Sequence, residues 1–196
     1  MLKTWQFWVT CVTFFLGAGI GLTTIGEAAP MIKELGATGA VLSAGAALGV
    51  MALFNGLGRL AWGSVSDRTG RTQALVAMCA LYLAVCALIM PNAASFWPVL
   101  ASICLIGFCY GGFLAIMPSL TADYYGARNI GANYGILFSA WGAAGFLIPG
   151  YFAGIIEAAK NAGRLAEGYH DVFYRLAALA VLAGAAAMLS RRPVAE

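Results

Sequence analysis

Six long stretches of the chain are apolar on all sides of a helix, and short polar or charged segments separate them. The runs cover residues 5–29, 40–66, 73–90, 96–119, 130–153 and 172–190. Ala, Gly, Leu, Ile, Val, Phe, Met and Trp fill most of each run. A helix of about 20 such residues is about 30 Å long, the thickness of the hydrocarbon core of a bilayer. In lipid, backbone polar groups find partners only within a helix or a closed barrel, so each run predicts a transmembrane helix. The predicted fold class is an all-α membrane protein, a single bundle of six transmembrane helices over residues 1–196.

The connections expected between the runs are Pro30 to Gly39, Asp67 to Thr72, Pro91 to Ser95, Leu120 to Asn129, and a longer polar stretch from Glu157 to Asp171. All but the last are too short for structure of their own. Lys3 ahead of an apolar run has the look of a signal peptide. The run from Trp5 to Ala29 is longer than a signal's apolar region, however, and five more follow it, so it is taken as the first span.

Composition agrees with a bilayer. Hydrophobic residues make up 62% of the chain and charged ones 10%, against about 45–50% and about 25% in soluble domains. The 25 glycines suit helices that must approach closely where lipid gives no hydrophobic drive for association. A net charge of +3, scattered between apolar runs, gives no nucleic-acid surface. Cys11, Cys79, Cys86, Cys104 and Cys109 lie in apolar stretches without metal-ligand spacing, as free thiols would. No metal site and no cofactor are expected.

Charge also predicts orientation, because Lys and Arg near membrane ends stay cytoplasmic. Six spans put both termini on one side. That side carries Lys3, Arg68, Arg71, Arg128, Arg191 and Arg192, and the other carries Lys33, Lys160 and Arg164. Counting Arg175 with the second group narrows the difference without reversing it. The expectation is a multi-pass protein of a bacterial inner membrane with both termini cytoplasmic.

Between the second and third runs stands Gly63-Ser64-Val65-Ser66-Asp67-Arg68-Thr69-Gly70-Arg71. Gly70 allows a tight bend, and Asp67 with the Arg pair can cap helix ends and form ion pairs across them. A loop that only obeyed the charge rule would need no such order. The segment resembles the G-x-x-x-D-R-x-G-R motif of the major facilitator superfamily, which joins the second and third helices of each six-helix half. A second region, Gly107-Phe108-Cys109-Tyr110-Gly111-Gly112-Phe113, then Pro118 to Gly126 and Gly131-Ala132-Asn133-Tyr134-Gly135, is similar to oxalate/formate antiporters and their monocarboxylate-transporter-like relatives. The resemblance implies the C-terminal half of a twelve-span carrier with substrate held between two halves. It also implies that Gly63, Asp67, Arg68, Gly70 and Arg71 form a gating motif that braces one access state. The missing partner is then an N-terminal six-helix half or a second copy. A domain fragment, an interrupted gene or a misassigned start would each leave such a half, as would a truncated, non-transporting partner subunit.

Arg59 is the chemically informative residue inside a span. It lies eight positions before Asp67, about 12 Å deeper at about 1.5 Å per residue. An arginine at that depth costs at least about 2.5–3.5 kcal/mol on insertion scales and should face a cavity or partner. Asn55 and Ser66 share its helical face, which suggests a water-filled pathway. A guanidinium can hold a carboxylate through two parallel hydrogen bonds. The alternative is a side chain that bends to the membrane surface or caps backbone carbonyls. In the oxalate/formate-like relatives a basic residue on this helix binds substrate carboxylate, and Arg59 occupies the similar position.

The fifth span offers Tyr134 and Trp141, and from Ile130 to Gly154 it holds no Lys, Arg or His. Oxalate-selective relatives would carry a second cation there, so one cation matches a monocarboxylate better. Tyr110 on the fourth span can orient a carboxylate or bond to a neighbouring helix, and Trp141 can line a cavity or pack. The candidate substrate-binding set is therefore Arg59, Asn55, Tyr110 and Trp141. Glu27 near the outer end of the first span is a water-exposed carboxylate or a proton carrier, and the lone His170 has no assigned role. Without a phosphate-binding loop, an ion or counter-substrate gradient would supply energy. No Ser/His set or paired carboxylates at membrane depth support an enzyme. The function implied is secondary active transport of small organic anions, with a different small solute as the alternative.

Overall fold

The computed structural model describes residues 1–35, 42–93 and 95–190. The helices are α1 (Trp5–Glu34), α2 (Ala44–Thr69), α3 (Arg71–Ala84), α4 (Phe96–Tyr125), α5 (Ile130–Asn161) and α6 (Leu165–Leu189). The third span continues through a π-helical turn at Val85–Ile89 and a 3₁₀ turn at Met90–Asn92. It loosens there because Pro91 has no N–H for the ladder and its ring crowds the preceding turn. Counting that extension, six helices are long and apolar enough to cross a membrane, and no strand occurs among the described residues. Positions 40 and 41 of the expected second run, positions 36–39 of its connection, and Arg191 and Arg192 lie outside the described residues.

The helices outrun their apolar stretches. Most of the polar segment from Glu157 to Asp171, expected as a loop, is helical: α5 continues to Asn161 and α6 begins at Leu165. The apolar runs mark only part of each helix. Beyond it, pairs one turn apart such as Arg175–Asp171 at 2.9 Å and Arg164–Glu167 at 3.4 Å replace hydrophobicity as local support. The same applies to α4, which carries Leu120 to Tyr125 in its last turns.

Hydrogen bonds fix the up-and-down order. At one end, buried Ser190 gathers four helix ends: its Oγ lies 3.3 Å from Thr10 Oγ1 on α1 and 3.2 Å from Tyr124 Oη on α4, and its carbonyl accepts from Thr72 Oγ1 on α3 at 3.0 Å. The opposite end is joined by Lys160–Glu34 at 3.2 Å and by Tyr169 donating to Glu27 at 3.3 Å. We call the first the turn end, because the α2–α3 turn lies there, and the second the far end.

Helices α1 and α4 form the centre, with α2 packed along α4, α5 along α1, and α3 with α6 behind. The α2–α4 seam is backbone on backbone. A Cβ at Gly58 would collide with the Phe108 carbonyl, and one at Gly111 with the Asn55 carbonyl. Only glycine permits this approach, which supplies dispersion contact where lipid supplies no other drive. The most apolar stretch of α4 is 72% buried, whereas those of α2 and α5 are 17% and 22% buried. These two flanking helices therefore each have an open side, with Leu53, Leu57 and Leu60 of α2 and Phe146 of α5 exposed.

Candidate functional site

Two of the sequence-derived site residues meet directly. Trp141 Nε1 on α5 donates to Tyr110 Oη on α4 at 2.8 Å. Tyr110 is buried, and α1 supports its ring from behind, since a Cβ at Gly21 would strike the ring. Phe138 lies parallel to the Trp141 indole at 4.8 Å and 16°, and Tyr134 approaches Phe138 at 5.5 Å. The phenol oxygen accepts one hydrogen bond, so its proton is still available. Among the described residues nothing accepts it.

Arg59 projects from the little-covered side of α2 and is exposed. No carboxylate pairs with it among the described residues. Its backbone passes close to Gly111, the residue after Tyr110, with only 3.3 Å between a Gly111 Cβ and the Arg59 nitrogen. A permanent cation, an uncommitted O–H and an aromatic wall thus share one side of the bundle. Chemically this arrangement suits one carboxylate: charge and two parallel N–H donors from Arg59, a further donor from Tyr110, and apolar faces for the rest of the solute.

Asn55 stands apart from that set. Its Nδ2 donates to the Gly107 carbonyl on α4 at 3.0 Å, so the amide works as a clamp across the α2–α4 seam. Ser66 also leaves the presumed polar stripe. It is buried, donates to the Gly63 carbonyl at 2.8 Å and accepts from Arg71 at 2.7 Å.

The α2–α3 turn is a second, separate arrangement. Gly70 has φ of 100°, a backbone that residues with a Cβ rarely adopt, and a Cβ would also meet the Gln73 side chain. Arg71, just beyond, binds Asp67 and Ser66 on α2 and places Nε 3.0 Å from Asp123 Oδ2 near the end of α4. Its side chain is 22% exposed and that of Asp123 51%, so solvent screens the pair and its value lies in geometry more than in energy. Gly63 faces open space and Arg68 is exposed without a carboxylate partner among the described residues. Asp67, Gly70 and Arg71 carry the knot; Gly63 joins it through its carbonyl, which accepts from Ser66, and Arg68 is exposed.

Asp123 and Phe138 were missed by sequence reasoning. Asp123 was legible as the only carboxylate between the fourth and fifth spans. Phe138 had no signal beyond its spacing, three residues before Trp141. At the far end Glu27 is half-buried and accepts from buried Tyr169, and His170 is exposed. All five cysteines are free, and no group of metal-ligating side chains occurs among the described residues.

Comparison with known proteins adds relatives to this geometry. A family model described as Major Facilitator Superfamily matches residues 2–196. The chain is 33% identical to the oxalate:formate antiporter of Oxalobacter formigenes over 157 residues, which is 79% of this chain and 37% of the relative. It is 32% identical to the uncharacterized MFS-type transporter YhjX of Escherichia coli (strain K12), covering 70% of this chain and 34% of that protein. Apicoplast pyruvate carrier 1 of Toxoplasma gondii is 31% identical over 71% of this chain and 26% of its own length. The chain therefore spans roughly a third of the curated relatives it matches.

Proposed function

Because the chain belongs to the Major Facilitator Superfamily, we propose that it serves as the C-terminal six-helix half of a secondary active carrier for small organic anions. Arg59 is the anchor for the substrate carboxylate, Tyr110 gives a second donor, and Trp141 holds Tyr110 in place. The observation that carries this reading is Arg59 itself, an exposed cation on a helix long and apolar enough to cross a membrane, with no carboxylate partner among the described residues and its backbone beside Gly111, the residue after Tyr110. An arginine left so in a membrane is costly unless an anion or water-filled pathway meets it.

The opposite wall of the pathway comes from a complementary six-helix half, or from a second copy, against the exposed sides of α2 and α5. Exchange follows from rocking of the two bundles about the site, with the Asp67–Gly70–Arg71 knot bracing one of the two access states. Both termini lie in the cytoplasm by the charge count, in a bacterial inner membrane. The substrate is a monocarboxylate: Arg59 supplies one positive charge, and α5 from Ile130 to Gly154 adds none. The relatives named for oxalate and formate and for pyruvate are consistent with carboxylate cargo.

The test is counterflow in proteoliposomes, with the chain alone and joined to a complementary N-terminal half, using formate, lactate, oxalate and a neutral sugar. Carboxylate exchange that saturates and is lost in Arg59→Gln supports the reading. Exchange of the sugar alone would favour a different solute, and no exchange in either format would favour a non-transporting half.

A further inference from the structure

All buried threonines but one among the described residues spend their hydroxyl on their own helix. Thr10, Thr13, Thr24 and Thr121 each donate to the carbonyl four residues earlier. Thr23 is as deeply buried, at 2% exposure, yet its Oγ1 has no partner among the described residues. A buried hydroxyl left so is costly unless something else uses it. Glu27 stands four residues on, where a helix sets side chains one above the other and tilts the later one back toward the earlier. It is half-buried, and buried Tyr169 of α6 donates to its Oε2 at 3.3 Å; Oε1 has no donor among the described residues. Pro30, inside the same helix, has no N–H to give the Gly26 carbonyl. Gly26 and Pro30 are exposed, and nothing stands within 4 Å of a Cβ at Gly26, so this side of α1 is open at the far end.

We infer that Thr23, Glu27 and the Gly26 carbonyl form a binding site for a monovalent metal cation of sodium's size, entered from the far end. All three ligands are oxygens, the donors that hard cations take, and a carbonyl freed from its helix bond is a ready ligand for sodium. One carboxylate balances one positive charge, whereas a divalent ion calls for more. A proton would satisfy a single lone pair; a metal ion uses the carboxylate, the hydroxyl and the carbonyl together. The one helical turn between Thr23 and Glu27 sets their Cβ atoms about 5–6 Å apart, a span that a small ion bridges. Neighbouring cations do not compete for the carboxylate. Lys160 pairs with Glu34 at 3.2 Å, Arg164 with Glu167 at 3.4 Å and Arg175 with Asp171 at 2.9 Å. Lys33 lies about 120° around α1 from Glu27. Resting on the carrier reading above, this is the ion whose gradient drives uptake.

Thermal unfolding of the full chain in detergent, with sodium replacing choline at constant ionic strength, tests this. Each tenfold rise in sodium above half-saturation should raise the midpoint by about 3–5 °C. Potassium should act only at higher concentration. Thr23→Val removes a hydroxyl that holds nothing in the fold, so it should keep the midpoint in choline and weaken sodium binding about tenfold, the weight of one ligand. Glu27→Gln leaves Tyr169 an acceptor and should abolish the sodium response. Thr24→Val, whose hydroxyl serves its own helix, should leave sodium affinity unchanged. A midpoint indifferent to sodium overturns the proposal, as does a sodium response that survives both Thr23→Val and Glu27→Gln. Stabilisation by acid that is lost in Glu27→Gln, without a sodium response, also overturns it by assigning Glu27 to a proton. The assay contains no carboxylate, so the sodium site and the Arg59 anchor fail independently. In a complete carrier containing this half, an inward sodium gradient should quicken formate uptake several-fold; equal uptake in choline overturns the driving role.

Discussion

Arg71 and Asp123 are joined at 3.0 Å across 52 residues of sequence, so the cation of the α2–α3 turn is held by α4 as well as by its own motif. The turn is then a three-helix fastening, and a carboxylate outside the motif shares its work. Asp67→Asn and Asp123→Asn should each slow exchange several-fold while leaving anion affinity within about twofold, because both lie about 12 Å or more of helix rise from Arg59. Exchange and equilibrium binding in a complete carrier containing this half separate the two effects. Loss of affinity with normal exchange would remove the gating role.

Arg59→Lys should weaken carboxylate binding about tenfold and Arg59→Gln by about a hundredfold or more. Lysine keeps the charge without the paired donors and glutamine loses both, against about 1.5–3 kcal/mol for a charge-assisted contact. Formate or lactate should bind more tightly than oxalate. Competitive uptake in a complete carrier reads both outcomes. Unchanged affinity in a folded Arg59→Gln variant sinks the anchor, and tighter oxalate binding sinks the monocarboxylate preference.

Tyr110→Phe removes a donor from the solute and strands the Trp141 N–H, so binding should fall by about fivefold to tenfold, the weight of about one hydrogen bond. Trp141→Phe should cost less, because the phenol survives. In the double variant the effects should be less than additive, as expected of partners in one hydrogen bond. Strict additivity would separate the two residues.

Gly111→Leu should lower the unfolding midpoint in detergent by about 2–12 °C, taking about 1–3 kcal/mol for overpacking and about 2–4 °C per kcal/mol. Gly63→Leu, on the open side of α2, should leave it nearly unchanged, since nothing stands within 4 Å of a Cβ there. Equal effects would contradict the backbone-on-backbone seam.

Orientation is tested by thiol labelling in sealed cells. A cysteine at Ala162 should react with an impermeant reagent from outside, and one at Thr69 should react only after lysis. The reverse pattern would invert the bundle.

The spans were legible because lipid demands apolar residues on all sides of a helix, and six runs meet that demand. Their ends were not, because outside lipid a helix needs no apolar pattern: Glu157 to Asp171 looks like a loop by hydropathy and folds mostly as helix. Within the candidate site, sequence could nominate Arg59, Tyr110 and Trp141 by type and depth. It could not say that Trp141 turns toward Tyr110 while Asn55 turns toward Gly107, because that depends on how each helix is rotated about its axis. Asp123 was similarly visible as a carboxylate and invisible as the partner of Arg71.

Ser190 gives the bundle a sequence of events in time. The first helix emerges from the ribosome with Thr10 in place, yet its hydrogen-bond neighbour is 180 residues further on. Thr72 and Tyr124 wait for the same residue. Until the sixth helix is inserted, Thr72 and Tyr124 lack this partner at the same end of the bundle, and Thr10 has only the Gln6 carbonyl of its own helix. In an unfinished chain the ends of the first, third and fourth helices therefore lack the residue that ties them together.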